Sequence, residues 1–207
     1  MKHFPLASFF EFDIRPFVTE TVFESGEHIF LEGSEPEYLY YLSDGITKLY
    51  LSHENGRITL INFLKAPCFI GEMELLGAQA SSKGVVAITR CSCYAIHTRA
   101  CKELLLHDTT FLRQLCLLLS EKAIGNTYNY SLNQSYPLEV RLARFILMTE
   151  HNNIYREKHT EVAEFLGVTY RHLLYVFADF VKRGILERTP QGYLIKDATL
   201  MRECAHT

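Results

Sequence analysis

Nowhere in this chain of 207 residues do about 18 uncharged apolar residues run together, so no helical membrane span is expected. The opening MKHFPLASFF holds one lysine and a broken apolar run, with Glu11 and Asp13 close behind. That is a poor export signal, and a cytoplasmic location is expected. Histidines one residue apart, which with a nearby carboxylate would arm a small β-barrel for metal chemistry, do not occur. Walker loop, CxxC pair and Ser/His/Asp grouping are missing too. The chain is therefore read as a non-enzyme with no assigned metal ligands. No internal repeat or low-complexity tract interrupts it.

What is there has globular character: 22% charged and 48% hydrophobic residues argue against disorder, and the length suits one large domain or two small ones. Six cysteines without an export signal suggest free thiols in a reducing compartment. Charge is uneven. Residues 1–136 carry 11 Lys and Arg against 15 Asp and Glu, whereas residues 137–207 carry 10 against 9 with four histidines, so the C-terminal third is the part suited to nucleic acid.

From about Thr21 to Thr98, short alternating runs of Tyr, Phe, Ile, Leu and Val are punctuated by glycines, the pattern of a small barrel or jelly roll. In KLYLSHENGRITLINF two such runs flank Asn55-Gly56, a pair suited to a type I′ hairpin turn. After Asp108 the period changes. Phe111, Leu112, Leu115, Leu118, Leu119 and Ala123 fall at three- and four-residue spacing, predicting a helix capped by Asp108. At 1.5 Å per residue it would run about 42 Å, more than a small domain needs. Its first half is apolar on nearly every face, so one side is expected on the β domain and the other on a second copy; a core helix within a monomer is the alternative. Pro137 ends that helix or starts the next, in which Leu138, Leu142, Phe145 and Ile146 share a face. The expected organisation is α+β: a β-roll sensory domain over 1–107, a long dimerisation helix over 108–136 and a DNA-binding domain over 137–207.

HTEVAEFLGVTYRHLLYVFADFVKRGIL, residues 159–186, fits a helix-turn-helix at each constrained position. Two helices crossing steeply need a small residue at the crossing, Ala163, and a positive φ in the turn, Gly167. Val162, Leu166 and Val168 pack the inside of the turn, and Leu173 and Val176 close it. Thr169 is expected to cap the second helix. Tyr170, Arg171, His172, Leu174 and Tyr175 then lie outside the packed stripe, at the helix end that enters a major groove. Arg171 suits guanine O6 and N7; Tyr170 and Tyr175 suit phosphates or thymine methyls. Lys182, Arg183 and Arg188 suit phosphates or are solvated surface. ILERTPQGYLIK reads as two short strands about a turn, which makes a wing.

A β-roll, a long helix and a winged helix-turn-helix in that order resemble the CRP/FNR family of bacterial transcription regulators. The resemblance runs from VFESGEHIFLEGSEPEYLYYLSDGITKLY through FIGEMELL to VRLARFIL and EVAEFLGVTYRHLLYVF, nearly the whole chain. APCFIGEMELL, EKHT, GVTYRHLLYV and GYLIK look most like the YeiL-type subgroup. It implies a cyclic-nucleotide-binding-like β-roll and a homodimer whose paired long helices relay a signal to two recognition helices on palindromic double-stranded DNA. It also implies contact with RNA polymerase where the regulator activates. A cyclic-nucleotide-binding module regulating an attached enzyme or channel is the alternative, in which a helix-turn-helix would have no purpose.

The sequence departs from the cyclic-AMP-binding members at one point. Gly71 and Glu72 match their cassette, but Ser81-Ser82-Lys83 stand where an Arg-Ser or Arg-Thr pair is expected. A guanidinium forks onto a phosphate, whereas serine offers one neutral donor and lysine a point charge. Lys83, with Lys122, Asn126 and Thr127 of the long helix, would line any such pocket; cyclic AMP is not the expected ligand, and the effector is left unassigned. Members holding an iron–sulfur cluster use clustered N-terminal cysteines, and here the first is Cys68, which disfavours a cluster. Cys91 and Cys93 point to one face of a strand, and Cys68 and Cys116 are candidates to join them. Plain packing, thiol redox sensing and a metal or cluster stay open for these four. His53 and His97 are expected at a hairpin tip and a strand end, as surface residues.

Overall fold

The computed structural model describes residues 6–54, 56 and 58–206, with the side chains of residues 129, 132 and 133 left aside. Eight strands build its first part: β1 Val18–Phe23, β2 His28–Phe30, β3 Tyr38–Asp44, β4 Ile46–Ser52, β5 Ile58–Lys65, β6 Cys68–Ile70, β7 Gly84–Ala87 and β8 Cys91–His97. They form two four-stranded sheets, ordered β1-β8-β3-β6 and β2-β7-β4-β5. Of the Asn-Gly turn between β4 and β5, Asn55 lies outside the described residues; the Gly56 N–H donates to the His53 carbonyl at 2.9 Å.

Period-two alternation divides the buried side chains into two cores. Along β3, Leu42 joins Ile29, Phe30, Cys68, Ile70, Val85, Cys91 and Cys93 between the sheets. Leu39 and Tyr41 face the other way, onto Phe69, Ile96 and a cover of helices and N-terminal chain. That cover includes α1 Glu72–Leu75, α2 Thr98–His107 and the start of α3 Thr109–Ser135. It also includes Leu6, Phe10 and Ile14, which the sequence pattern does not mark; Phe10 stacks on Phe111 at 5.1 Å between centroids. Asp108 caps α3 as expected. Its Oδ1 accepts from the Phe111 N–H at 2.8 Å and its Oδ2 from the Glu11 N–H at 2.7 Å.

After Pro137 come α4 Leu138–Thr149, β9 Ile154–Tyr155, α5 His159–Phe165, α6 Tyr170–Lys182, β10 Leu186–Thr189, β11 Gly192–Ile195 and α7 Ala198–Cys204. The three strands pair antiparallel in the order β10-β11-β9, so the predicted wing gains a third strand. Leu142, Phe145 and Ile146 of α4 are buried, as are Val162 of α5 and Leu173, Phe177 and Phe180 of α6. The last helix, α7, is an addition to the sequence reading; Asp197 caps it by accepting from the Thr199 and Leu200 N–H groups.

The chain divides into two compact units, residues 1–51 with 63–125 and residues 52–62 with 126–207. No helix among the described residues is long and apolar enough to cross a membrane.

Candidate nucleic-acid interface and effector pocket

Local sequence sets the geometry of the helix-turn-helix. Ala163 is buried where α5 meets the turn, and Gly167 takes φ +65°, a conformation glycine adopts without steric cost. The Val168 N–H returns to the Ala163 carbonyl at 2.9 Å. Thr169 is extended, and its Oγ1 accepts from the His172 N–H at 3.2 Å, the expected cap. At the far end the Ile185 N–H reaches the Phe180 carbonyl and the Gly184 N–H the Val181 carbonyl, a Schellman closure. Helix α6 is thus fixed at both ends.

Tyr170, Arg171, His172, Tyr175 and Lys182 are all exposed, and among the described residues their side chains have no hydrogen-bond or ion-pair partner. Two other predicted phosphate partners diverge. Arg188 is exposed on β10. Arg183 is engaged within the fold, by Glu139, by Asp179 at 3.2 Å and by the Cys204 sulfur at 3.1 Å, because α4 and α7 converge on the end of α6.

Behind the exposed row lies an aromatic cluster that the sequence reading missed. His159 stacks on Phe177 at 4.2 Å, Phe177 lies 4.8 Å from Tyr193, and Tyr155 lies 5.4 Å from Phe177. One member each from β9, α5, α6 and β11 ties the recognition helix to the wing. Helical periodicity can mark Phe177 alone; its partners come from three other elements. Burial, with Arg188 nearby as a smaller cause, pushes the His159 imidazole below its ordinary value.

The candidate effector residues are divided between the two compact units. Gly71 precedes α1 at φ +98°, and a Cβ there would come within 3.0 Å of the Phe30 ring and 3.2 Å of the Tyr38 carbonyl oxygen, which makes glycine the fitting residue. Glu72 is buried, its Oε1 2.6 Å from Lys122 Nζ, which also donates to the Phe69 carbonyl at 2.7 Å. Ser82 is buried as well, its hydroxyl 2.9 Å from the Leu31 carbonyl oxygen and 2.9 Å from the Ser34 hydroxyl. It staples two loops. Ser81 is exposed and Lys83 half-buried. Asn126 accepts from Asn62 at 2.7 Å, and Thr127 is likewise engaged, both in the second unit. Gly71, Glu72 and Lys122 come together within the first unit.

Cys68, Cys91 and Cys93 share the core between the sheets, with Leu42 of β3 paired to Cys68 on one side and to Cys93 on the other. Burial pushes the Cys68 thiol up to about 11 and the Cys93 thiol up to about 12, and raises Cys91 as well. Cys116 is exposed on α3 and stands apart from them. All six cysteines are free thiols. Among the described residues no three His, Cys, Asp or Glu side chains gather as a metal ion requires. His53 lies beside the hairpin turn, 2.8 Å from Thr59 Oγ1. His97 ends β8 half-buried rather than on the surface, its ring edge-on to Tyr38 at 5.2 Å.

Comparison with known proteins agrees with this architecture. Residues 20–108 match the cyclic nucleotide-binding domain and residues 140–204 the Crp-like helix-turn-helix domain. The chain belongs to the CRP/FNR family of transcription regulators. Within that family it is of the YeiL type: it is 47% identical to Regulatory protein YeiL of Escherichia coli O157:H7 over 175 residues, 84% of this chain and 80% of that protein. Two solved structures share the fold. A CRP-family regulator from Thermus thermophilus has TM-score 0.70 at 20% identity, covering 90% of this chain and 97% of its own. A crp/fnr-family protein from Eubacterium rectale has TM-score 0.74 at 15% identity, covering 94% and 92%. The chain is a transcription regulator with a helix-turn-helix DNA-binding domain, and not an enzyme.

Proposed function

We propose that this chain acts in the cytoplasm as a homodimer that reads a palindromic site in double-stranded DNA, without cyclic AMP. The observation that carries this is α6: a helix capped at both ends, buried on one side and presenting unpartnered Arg171, Tyr175 and Lys182 on the other. An N-capped helix with a free guanidinium in its first turn suits major-groove entry, and Lys182 suits a phosphate.

Dimerisation is supported by α3, where Leu117, Ile124 and Tyr128 stand 49%, 69% and 59% exposed at seven- and four-residue spacing. An apolar line of that spacing is covered well by the same line of a second copy. Independence from cyclic AMP is supported by the Glu72–Lys122 pair and by Ser82. The cation nearest the cassette already serves a carboxylate, and the serine hydroxyl already serves the fold. For the cysteines the raised values favour packing over redox sensing, since attack on an oxidant needs the thiolate. Contact with RNA polymerase belongs to the reading only if the regulator activates.

Selection of genomic fragments by the full-length protein should enrich an inverted repeat, bound equally with and without cyclic AMP; failure to enrich one overturns the reading. Arg171→Ala should then lose about 1–3 kcal/mol of discrimination at one base pair per half-site, measured by competition binding. Uniform weakening over all sequences would instead make it a phosphate contact.

A further inference from the structure

The row that α6 turns outward is charged at both ends and offers a tyrosine ring and an alanine methyl group between them. Leu173, Val176, Phe177 and Phe180 are buried. With 3.6 residues per turn, the side diametrically opposite them carries Arg171, Tyr175, Ala178 and Lys182, at alternating four- and three-residue steps. All four are exposed, Tyr175 by 73%, and Leu174 flanks the row half-buried. Between the arginine at one end and the lysine at the other, this line holds no amide, carboxylate or second guanidinium. Asp179 lies off it and receives Arg183 at 3.2 Å.

Resting on the DNA-binding reading above, we propose that Tyr175 and Ala178, with Leu174 alongside, read thymine 5-methyl groups next to a single guanine read by Arg171. Each half-site would then hold one G·C pair followed by a short thymine-rich step. Arg171 to Ala178 spans about 10 Å along the helix axis, the length of about three base steps at 3.4 Å each. In the major groove thymine is the base that offers a methyl group, and apolar side chains distinguish it by contact. Lys182 lies about 6 Å further along the axis, past the base edges, where a phosphate is the fitting partner.

Uracil supplies the test, because it differs from thymine only by that methyl group and leaves the protein untouched. The repeat enriched by the full-length wild-type chain is synthesised with uracil replacing thymine at one position at a time, and Kd is measured by fluorescence anisotropy at fixed salt. One or two positions per half-site should each lose about fourfold in affinity, the worth of one buried methyl group. With Tyr175→Ala, thymine and uracil should bind equally at one of those positions while the others keep their preference. A repeat at which no uracil changes Kd by more than about twofold overturns the thymine assignment and leaves the DNA-binding reading standing. Full uracil sensitivity at every position in Tyr175→Ala overturns the role of Tyr175. A pool that enriches no repeat removes the DNA-binding reading and this proposal with it.

Discussion

The two candidate sites treat their polar groups in opposite ways. Around the cassette Gly71-Glu72, carboxylate, ammonium and hydroxyl are consumed within the protein: Glu72 by Lys122, Lys122 also by the Phe69 carbonyl, Ser82 by Leu31 and Ser34. On α6 the corresponding groups of Arg171, Tyr175 and Lys182 face solvent without partners. A buried polar group must be satisfied at once by its own fold, whereas an exposed one can wait for a ligand. The difference separates a site that holds itself together from one built to meet another molecule.

The largest effect expected from breaking this contrast is at Lys122. Lys122→Ala strands the buried Glu72 carboxylate and should cost about 2 kcal/mol of folding stability, at the low side for a broken buried pair because the lysine side chain is 25% exposed. Lys182→Ala, removing the same charge from α6, should stay within about 0.5 kcal/mol of wild type. Urea unfolding of both variants reads the two numbers; equal losses would erase the distinction.

A smaller effect concerns thiol reactivity. Exposed Cys116 should be alkylated at pH 8 at least about tenfold faster than Cys68 or Cys93, which burial keeps protonated. Mass spectrometry of a timed iodoacetamide reaction gives the order, and fast labelling of Cys93 would show that the space between the sheets opens.

The smallest is a pH effect on the second unit. His159 is depressed below its ordinary 6.5, so the unfolded chain takes up a proton before the folded one does. Its contribution to stability is complete above about pH 6.5 and is lost as pH falls from there through the lowered folded value. His159→Gln should flatten that part of the Tm-against-pH curve; an unchanged slope would assign it to other groups.

How far each region was legible in the sequence follows the same division. The helix-turn-helix is local: its cap, its small crossing residue, its positive-φ glycine and its buried stripe all lie between 159 and 186, and each stands where spacing puts it. The Asp108 cap and the Cys91–Cys93 alternation were legible for that reason too. Contacts between distant segments were not. Leu6, Phe10 and Ile14 stand four residues apart but belong to no long patterned element, yet they are buried, with Phe10 stacked on a phenylalanine about a hundred residues later. Ser82 reads as a candidate ligand group until Leu31 and Ser34 take its hydroxyl. Lys122 and Glu72 both suit one pocket, but their pairing required the fold. Helix α2 escaped notice because the β pattern before it and the apolar run after it drew the boundary at 107.

The Asp108 carboxylate joins segments almost a hundred residues apart, since one oxygen secures the first turn of the long helix and the other secures Glu11. The two contacts share a single group, so peeling back residues 6–14 would also loosen the helix start that bears Phe111. A tag or fusion at the amino end is therefore safe only if it leaves that strap seated.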